Sequence, residues 1–501
     1  MPIIAKQANY DRIYKNNKGT SIVIKNSQPS TLPVFFLTEM WERYGFYVVQ
    51  TLLAIYLAMH FSWPDEQIYT LIGSFTALTY LSPFVGGWIA DRYLGQKFAV
   101  LLGAFILMSS YIILSLSDHI PTLIATLAAI SVGTGLLKPN ISSLLGNQYA
   151  DDCTMRESGF TIFYLGITAG IILGTTLPSI FNHFFGWQMA FLSAAVGLGL
   201  AILTFIYGIT FNKIANYPSA RKKTASNYFK SALILFVLWL LNKEIMLLPK
   251  FANMVFPAIC CAAIAFILHS LYTEERVQAK RTIMILFLCI ISVMFWSFYF
   301  QMFMSLTLFI IRAVENIFLG IKFTPPYYVA IQSFGMIVIG FISTRTKKNI
   351  QLSVEQQAKN IMNKFVCALG LMLLTYIWID GVCHFTPNNN KISPLLIIPG
   401  YLIISQAELL LSPVGISAIT ILSCRKKVST MMGIFFVSLG LGGFFSGKLA
   451  NLTAVAIQTT DLVYLKQRYT LGFDKLSLIL AVCFAFSLLL KSLSSQVLIK
   501  K

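Results

Sequence analysis

Residues 33–58 read PVFFLTEMWERYGFYVVQTLLAIYLA, a run long enough to cross a bilayer that nevertheless carries Glu39, Glu42 and Arg43. About 20 mostly apolar residues span the hydrocarbon core as a helix. Charges inside such a run are costly unless they face a partner or a cavity. Glu39 and Arg43 stand at i and i+4, Glu39 and Glu42 at i and i+3, so all three share one helical face. Two carboxylates beside one guanidinium cannot all be neutralised pairwise, and one acid is left over. A buried acid that gains and loses a proton suits proton coupling; the plainer alternative is a cluster snorkelling to the entrance of the span.

The rest of the chain has the same character. Of 501 residues, 56% are hydrophobic and only 11% charged, whereas a soluble domain carries roughly a quarter charged residues. There is too little polar surface to coat soluble domains, so the chain reads as an integral membrane protein. Apolar runs at 33–58, 67–90, 96–116, 120–146, 158–182, 187–211, 228–248, 251–271, 281–311, 324–344, 361–380, 393–422, 428–450 and 473–492 predict fourteen spanning helices. The run at 228–248 is the weakest, because Lys243 and Glu244 interrupt it. Ten-residue alternating strands of a barrel are absent from the pattern.

Lys+Arg 38 against Asp+Glu 19 gives a formal net charge of +19, which in a soluble chain would suggest nucleic-acid binding. Here the cations sit in alternate loops: Lys6, Arg12, Lys15, Lys18 and Lys25; Arg92 and Lys97; Lys213, Arg221, Lys222, Lys223 and Lys230; Arg276, Lys280 and Arg281; Arg345, Lys347, Lys348 and Lys359; Arg425, Lys426 and Lys427. The intervening loops around His60/Asp65/Glu66, Asp118/His119 and Asn182/His183 hold none. By the positive-inside rule both termini are cytoplasmic, which requires an even number of spans. The densest basic loop, 212–230, follows the sixth span. The plan is therefore six spans, two extra spans and six more, as in transporters built from parallel repeats with a midplane site. The expected division is a cytoplasmic tail 1–32, a first six-helix bundle 33–211, a basic linker with two extra helices 212–275, a second bundle 276–492 and a cytoplasmic tail 493–501.

Other spans also carry charges. Lys138 lies in Gly133-Thr-Gly-Leu-Leu-Lys138-Pro139-Asn140 and needs an acid, for which the surplus carboxylate of the first span is the candidate. Glu408, in Gln406-Ala-Glu408-Leu-Leu-Leu-Ser412-Pro413, is the only acid of its span and lies in the second half. A cavity between the halves would then have cations on one side and an anion on the other, which suits a zwitterion such as a short peptide. Glu408 could instead be a hydrogen-bonded residue beside the Pro413 kink. Gly86, Gly87, Asp91 and Arg92, with Lys97, read as a gate or hinge turn pinned by its charges, and Pro139 and Pro413 as hinge points. Gly442 to Lys448 spells a phosphate-loop pattern but lies in a spanning run with no strand before it. The eight cysteines read as reduced core residues, the histidines show no ligand spacing, and no nucleophile–base pair stands out. No enzyme, metal site or cofactor is expected, the proton being the coupling ion.

These motifs resemble the proton-dependent oligopeptide transporters of the major facilitator superfamily. Glu39-x-x-Glu42-Arg43, the Gly86-to-Lys97 loop, Lys138-Pro139-Asn140, Phe163-Tyr164, Gly186-Trp187, Phe295-Trp296 with Gln301, Glu408 with Ser412-Pro413, and Met432-Gly433 carry the likeness across the whole chain. The resemblance implies an all-α major facilitator fold of two six-helix bundles plus a two-helix insert, and proton-coupled symport of di- or tripeptides by alternating access. It implies that Glu39, Glu42, Arg43 and Lys138 couple protons. Arg43, Tyr47, Tyr80, Lys138, Tyr164, Thr168, Trp296, Glu408 and Ser412 would contact substrate. A monomer in a bacterial inner membrane, with peptide, protons and lipid as its partners and no nucleic acid, is expected.

Departures from the family pattern are specific. Phe46 stands for a second tyrosine, Gln50 for an arginine, Thr168 for an asparagine, Phe300 for an acid, and Gly335 for the asparagine of a Gln-Ser-x-Asn element. The Gln50 and Phe300 changes remove both partners of a gating salt bridge together, so no buried charge is stranded. The others remove hydrogen-bonding groups around the substrate. A carrier of another organic solute, such as an amino acid, drug or anion, with altered or absent proton coupling is the alternative on the same scaffold.

Overall fold

Apolar runs in lipid become helices because no water competes for backbone N–H and C=O groups. The computed structural model describes residues 12–15, 21–24, 28–149, 155–215, 224–318, 320–345, 353–424, 427–456 and 459–499. Lys6, Lys18, Lys25, Arg221, Lys222, Lys223, Lys347, Lys348, Arg425, Lys426 and Cys153 lie outside the described residues. The helices are α1 (Leu32–Met59), α2 (Asp65–Ile89), α3 (Gln96–Ser115), α4 (Ile120–Gly146), α5 (Met155–Thr210), α6 (Ala225–Leu247) and α7 (Pro249–Thr273). They continue with α8 (Arg276–Tyr299), α9 (Ser305–Ala313), α10 (Pro325–Arg345), α11 (Val354–Phe385), α12 (Pro394–Leu422), α13 (Val428–Ala450) and α14 (Leu462–Ile499). Two short hairpins pair Arg12–Lys15 with Ser21–Ile24 and Ile317–Phe318 with Ile321–Lys322.

Eleven described helical segments are long and apolar enough to cross a membrane, α8 and α9 together forming one of them. The architecture is consistent with the fourteen runs of the sequence. α5 breaks at Gly186, whose φ of +80° only glycine adopts readily, so 155–185 and 187–210 are two helices. α1 and α6 add the remaining two; their buried or paired charges make them less apolar than the rest.

α1 to α5 form one bundle and α8 to α14 the other. In the first, α1 lies along α5, and the contact depends on absent side chains: a Cβ on Gly170 would sit 2.2 Å from the Met40 carbonyl oxygen. Small residues let helices approach this closely in lipid, where packing rather than the hydrophobic effect drives association. The same device joins the bundles. α2 packs on α13, with Gly447 so close to the Tyr69 carbonyl that a Cβ would stand 2.5 Å away. α5 and α10 form a second cross-bundle contact, whereas α4 and α12 share no packed face. α1 also meets α9 and α10 of the second bundle, and Gly433 of α13 faces Phe84 near the end of α2.

The two extra helices are attached to different bundles. α6 packs on α4 and α2, and its buried Asn242 donates to Ser131 Oγ (2.6 Å) while Trp239 Nε1 donates to the Ala125 carbonyl (2.9 Å). α7 packs on α8 and α13. Just beyond it Glu274 accepts from Lys427 Nζ (2.9 Å) and Thr282 Oγ1 (2.5 Å), at the junction of α12 and α13.

Among the described residues the cysteines are free thiols. Cys289 and Cys383 are buried as expected, but Cys261 and Cys367 are exposed on helix surfaces. The expectation that all were core residues is corrected there: an apolar run in lipid has an outward face, and a small apolar side chain is stable on it.

Candidate functional site

The first turns of α1 carry Glu39, Glu42 and Arg43 into the interior, each nearly or wholly buried. The Arg43 guanidinium grips Glu42 with a two-pronged hydrogen bond, Nε to Oε2 and Nη2 to Oε1, both 2.5 Å. Glu39 is the outlier. Its Oε1 lies 3.5 Å from Arg43 Nε, and its Oε2 is buried with no hydrogen-bond partner. This is the surplus acid that the i, i+3, i+4 spacing predicts. With Glu42 in the two-pronged pairing, Glu39 is left with an orphan acceptor, and a proton placed on this carboxylate would remove its surplus charge.

Lys138 stands on the adjacent α4. It closes no ion pair with Glu39 or Glu42; its Nζ lies over the Tyr80 ring, 5.1 Å from the centroid. A cation–π contact of this kind stabilises a partly desolvated ammonium. The acid partner that the sequence suggests is therefore not engaged in this arrangement, and the ammonium remains available to another anion.

Glu408 stands on α12 in the other bundle. Tyr299 Oη donates to its Oε2 at 2.9 Å and Gln332 Nε2 to the same oxygen at 2.7 Å. Oε1 has no partner among the described residues, so one face of the carboxylate is held rigidly and the other left open. Between the two charged poles lie Tyr47, Tyr80 and Tyr164. Tyr47 is within electrostatic range of Arg43, Tyr80, Tyr164 and Glu408, and Tyr164 is 47% exposed.

Other candidates are placed differently. Thr168 is buried with its hydroxyl bonded to the Tyr164 carbonyl of its own helix (3.1 Å). Trp296 is buried and stacked on Phe300, their rings 5.4 Å apart, and Tyr80 also meets Phe300, at 5.5 Å. Ser412 is half-buried and makes no hydrogen bond among the described residues. Gln50 donates to Thr76 Oγ1 (3.3 Å) on α2. Gln50 and Phe300 thus serve separate clusters, one polar and one aromatic, where the family pattern has a salt bridge.

The hinge candidates show a backbone logic. Pro139 has no N–H to give the carbonyl four residues earlier, which belongs to Gly135. Gly86 of α2 fills that gap so closely that a Cβ would lie 2.1 Å from the Gly135 oxygen, while Gly87 faces the Pro139 ring. α4 and α12 run unbroken through Pro139 and Pro413. Asp91 and Arg92 are exposed. The expected charge-pinned turn is not what holds this loop: Arg92 lies over the Trp88 ring (5.7 Å), and a π-helical turn, Ala90–Leu94, ends at Gly95 with φ +78°. Gln96 Nε2 then donates to Ser143 Oγ on α4 (2.7 Å).

One pair escaped the sequence reading. Arg312, at the end of α9, donates from Nη1 to Asp65 Oδ2 (2.7 Å) and from Nη2 to Asp65 Oδ1 (2.8 Å). Asp65, at the start of α2, also accepts from the Val455 N–H (3.0 Å), and Tyr469 of α14 lies 2.9 Å from Arg312 Nη1. Asp65 is buried, so this is a desolvated link between bundles. The available signal was an arginine at the end of a span on the cation-poor side.

The PTR2 (POT family) model matches residues 97–467. "Dipeptide and tripeptide permease A" of Citrobacter koseri is 27% identical over 95% of this chain and 94% of its own length. "Dipeptide and tripeptide permease B" of Aeromonas hydrophila is 28% identical over 90% of each chain. Among solved structures, tetrameric PepTSo2 superposes with a TM-score of 0.81 at 25% identity, over 93% of this chain and 98% of that one. A chain from a study of substrate recognition in proton dependent oligopeptide transporters gives 0.80 at 25% identity, over 93% and 99%. With the family model spanning most of the helical chain, and relatives and folds aligned nearly end to end, this protein belongs to the POT family.

Proposed function

We propose that the chain is a proton-coupled symporter of di- and tripeptides or peptide-like zwitterions, working by alternating access in a bacterial inner membrane. The observation that carries this reading is the pair of opposed poles: Arg43 and Lys138 in one bundle, Glu408 in the other, with tyrosines between them. A peptide carboxylate would meet Lys138 and Arg43, and its ammonium the open Oε1 of Glu408. Coulomb attraction across a site that excludes water makes both contacts strong. The permease names of the aligned relatives support the same substrate class.

With the cation-rich loops on the cytoplasmic side, the Asp65–Arg312 link closes the outer face, and α4 and α12, which are not closely packed on each other, form the inner gate. In the outward state a proton reaches Glu39 and a peptide bridges the two poles. The buried charges are then balanced, and the bundles rock. On the inner side the proton leaves Glu39, the cluster regains its surplus negative charge, and Lys138 is drawn from the peptide carboxylate towards it. A single chain contains every group of this cycle, so a monomer suffices. No cofactor or catalytic chemistry enters it.

The test is uptake of a labelled peptide library into proteoliposomes under a controlled pH gradient. Accumulation of dipeptides that does not respond to an inward proton gradient would sink the coupling. A second reading, a carrier of another organic solute, is favoured by one observation. Thr168 spends its hydroxyl on its own helix and Gly335 has no side chain, so two family hydrogen-bonding groups are missing. A melting-temperature screen of peptides against amino acids and organic anions separates the readings, because a ligand bound by the folded state alone raises its stability.

A further inference from the structure

At the α9 end of the second bundle, on the side of Asp65 and Arg312, three side chains converge away from the Glu39 and Glu408 clusters. His384 Nε2 lies 3.0 Å from Asp474 Oδ1 and 3.8 Å from Asp380 Oδ1. One ligand atom from each residue falls within 4.8 Å of the others. Asp380 and His384 are one turn apart on α11, and Asp474 comes from α14, which packs along it. We propose that Asp380, His384 and Asp474 form a site for a divalent transition-metal cation of the zinc type, clamping α11 to α14.

Spacing is the first argument. Zinc bonds nitrogen and carboxylate oxygen at about 2.0–2.1 Å in tetrahedral geometry, which sets ligand atoms about 3.3 Å apart. The observed 3.0 and 3.8 Å bracket that value, so a cation fits with small side-chain movements. An unfilled valence is the second. Asp380 Oδ1 is buried and receives no N–H donor, although it lies 3.8 Å from the imidazole, and its carboxylate sits against the like charge of Asp474. Charge is the third. With a neutral imidazole the group holds two negative charges, and among the described residues neither carboxylate forms an ion pair with a lysine or arginine; the ammonium of Lys466 donates instead to the carbonyls of Thr386, Pro387 and Asn390 (3.1, 2.7 and 3.1 Å). A divalent cation brings the set to neutrality.

Access is open, since the side chains of His384 and Asp474 are 53% and 43% exposed, which leaves room for a water as fourth ligand. One imidazole and two carboxylates suit zinc or cobalt better than magnesium, which prefers an all-oxygen shell with several waters. All three residues belong to the second bundle, so the cation does not bridge the halves. It secures the helix on which Tyr469, five residues before Asp474, meets Arg312. The proposal does not depend on the transport reading.

The test uses untagged, chelator-treated full-length protein in detergent at pH 8. Zinc chloride is expected to raise its melting temperature, with reversal by EDTA and no response to magnesium chloride. Cobalt chloride is expected to give the visible absorption of a low-coordinate cobalt site. H384A and D474N should each weaken zinc binding by at least about tenfold and abolish the cobalt band. Their metal-free melting temperatures report whether they fold, and D474N carries the test if H384A does not. Equal zinc responses in wild type and both variants overturn the site. So does a wild type whose stability follows pH through His384 but ignores zinc and cobalt, the outcome of an imidazolium held between two carboxylates.

Discussion

Arg312 holds Asp65 through both terminal guanidinium nitrogens, and the two residues belong to different bundles. The link is two-pronged, nearly dry on the Asp65 side and supported by Tyr469 and the Val455 N–H. Removing one partner of such a pair costs more than the pair contributes, because it strands the other charge. R312A should therefore lower stability by about 2–4 kcal/mol, less than a fully buried pair would lose because Arg312 is partly exposed. It should also bias the protein toward the outward-open state. Accessibility of single cysteines in α2 and α13 to a water-soluble maleimide reports the bias, and unchanged labelling would refute it.

Glu39 is the acid without a full partner. Replacing it with glutamine keeps the shape and supplies a donor, while removing the group proposed to carry the proton. E39Q should lose gradient-driven accumulation yet retain peptide exchange between loaded vesicles. Uptake that still follows the pH gradient in E39Q would move the proton elsewhere.

Glu408 should act mainly on affinity. In E408Q the hydrogen bonds from Tyr299 and Gln332 can largely persist, but the charge that faces the substrate amine is gone. The expected result is a KM about tenfold higher or more, equivalent to about 1.4 kcal/mol, with a smaller change in maximal rate. N-acetylated peptides, which lack the ammonium, should be indifferent to the substitution.

Gly170 tests the packing that places the whole α1 cluster. A side chain there collides with backbone at 2.2 Å, and backbone cannot rotate away as a side chain can. G170L should cost about 3 kcal/mol or more, the upper end for overpacking, read as a lower melting temperature in detergent. The same change at Gly199, whose Cβ would meet the Met108 sulfur only at 3.8 Å, should be far milder.

The fold was legible because lipid imposes a simple rule on the sequence, and fourteen apolar runs obey it. The α1 cluster was legible for a local reason: residues at i, i+3 and i+4 share a face whatever the tertiary structure. Glu408 was visible as the lone acid of its span. The partners of Glu408 were not, since Tyr299 and Gln332 look like ordinary span residues until helices are placed together; Tyr80 is named by the family resemblance, but not as a partner of Lys138. Asp65 and Arg312 are 247 positions apart, and each alone looks like a loop charge. Asp380 and His384 do carry an i, i+4 spacing, but the residue that completes the group is 90 positions further on. The expected pinning of the Gly86-to-Lys97 turn by its charges failed because exposed charges in water hold little, whereas a glycine-ended turn and a buried glutamine hold more.

The inserted helices put a mechanical bound on any rocking of the bundles. α6 is moored to the first bundle at Asn242, and the chain is moored again to the second at Glu274. Whatever separates the halves must be taken up by the covalent length between those two moorings. Leu248 is the one residue between α6 and α7 with an extended backbone, φ −114° and ψ 95°, and Pro249 follows it directly. The amplitude of opening is therefore limited by a leash built into the chain, and its joint lies at Leu248.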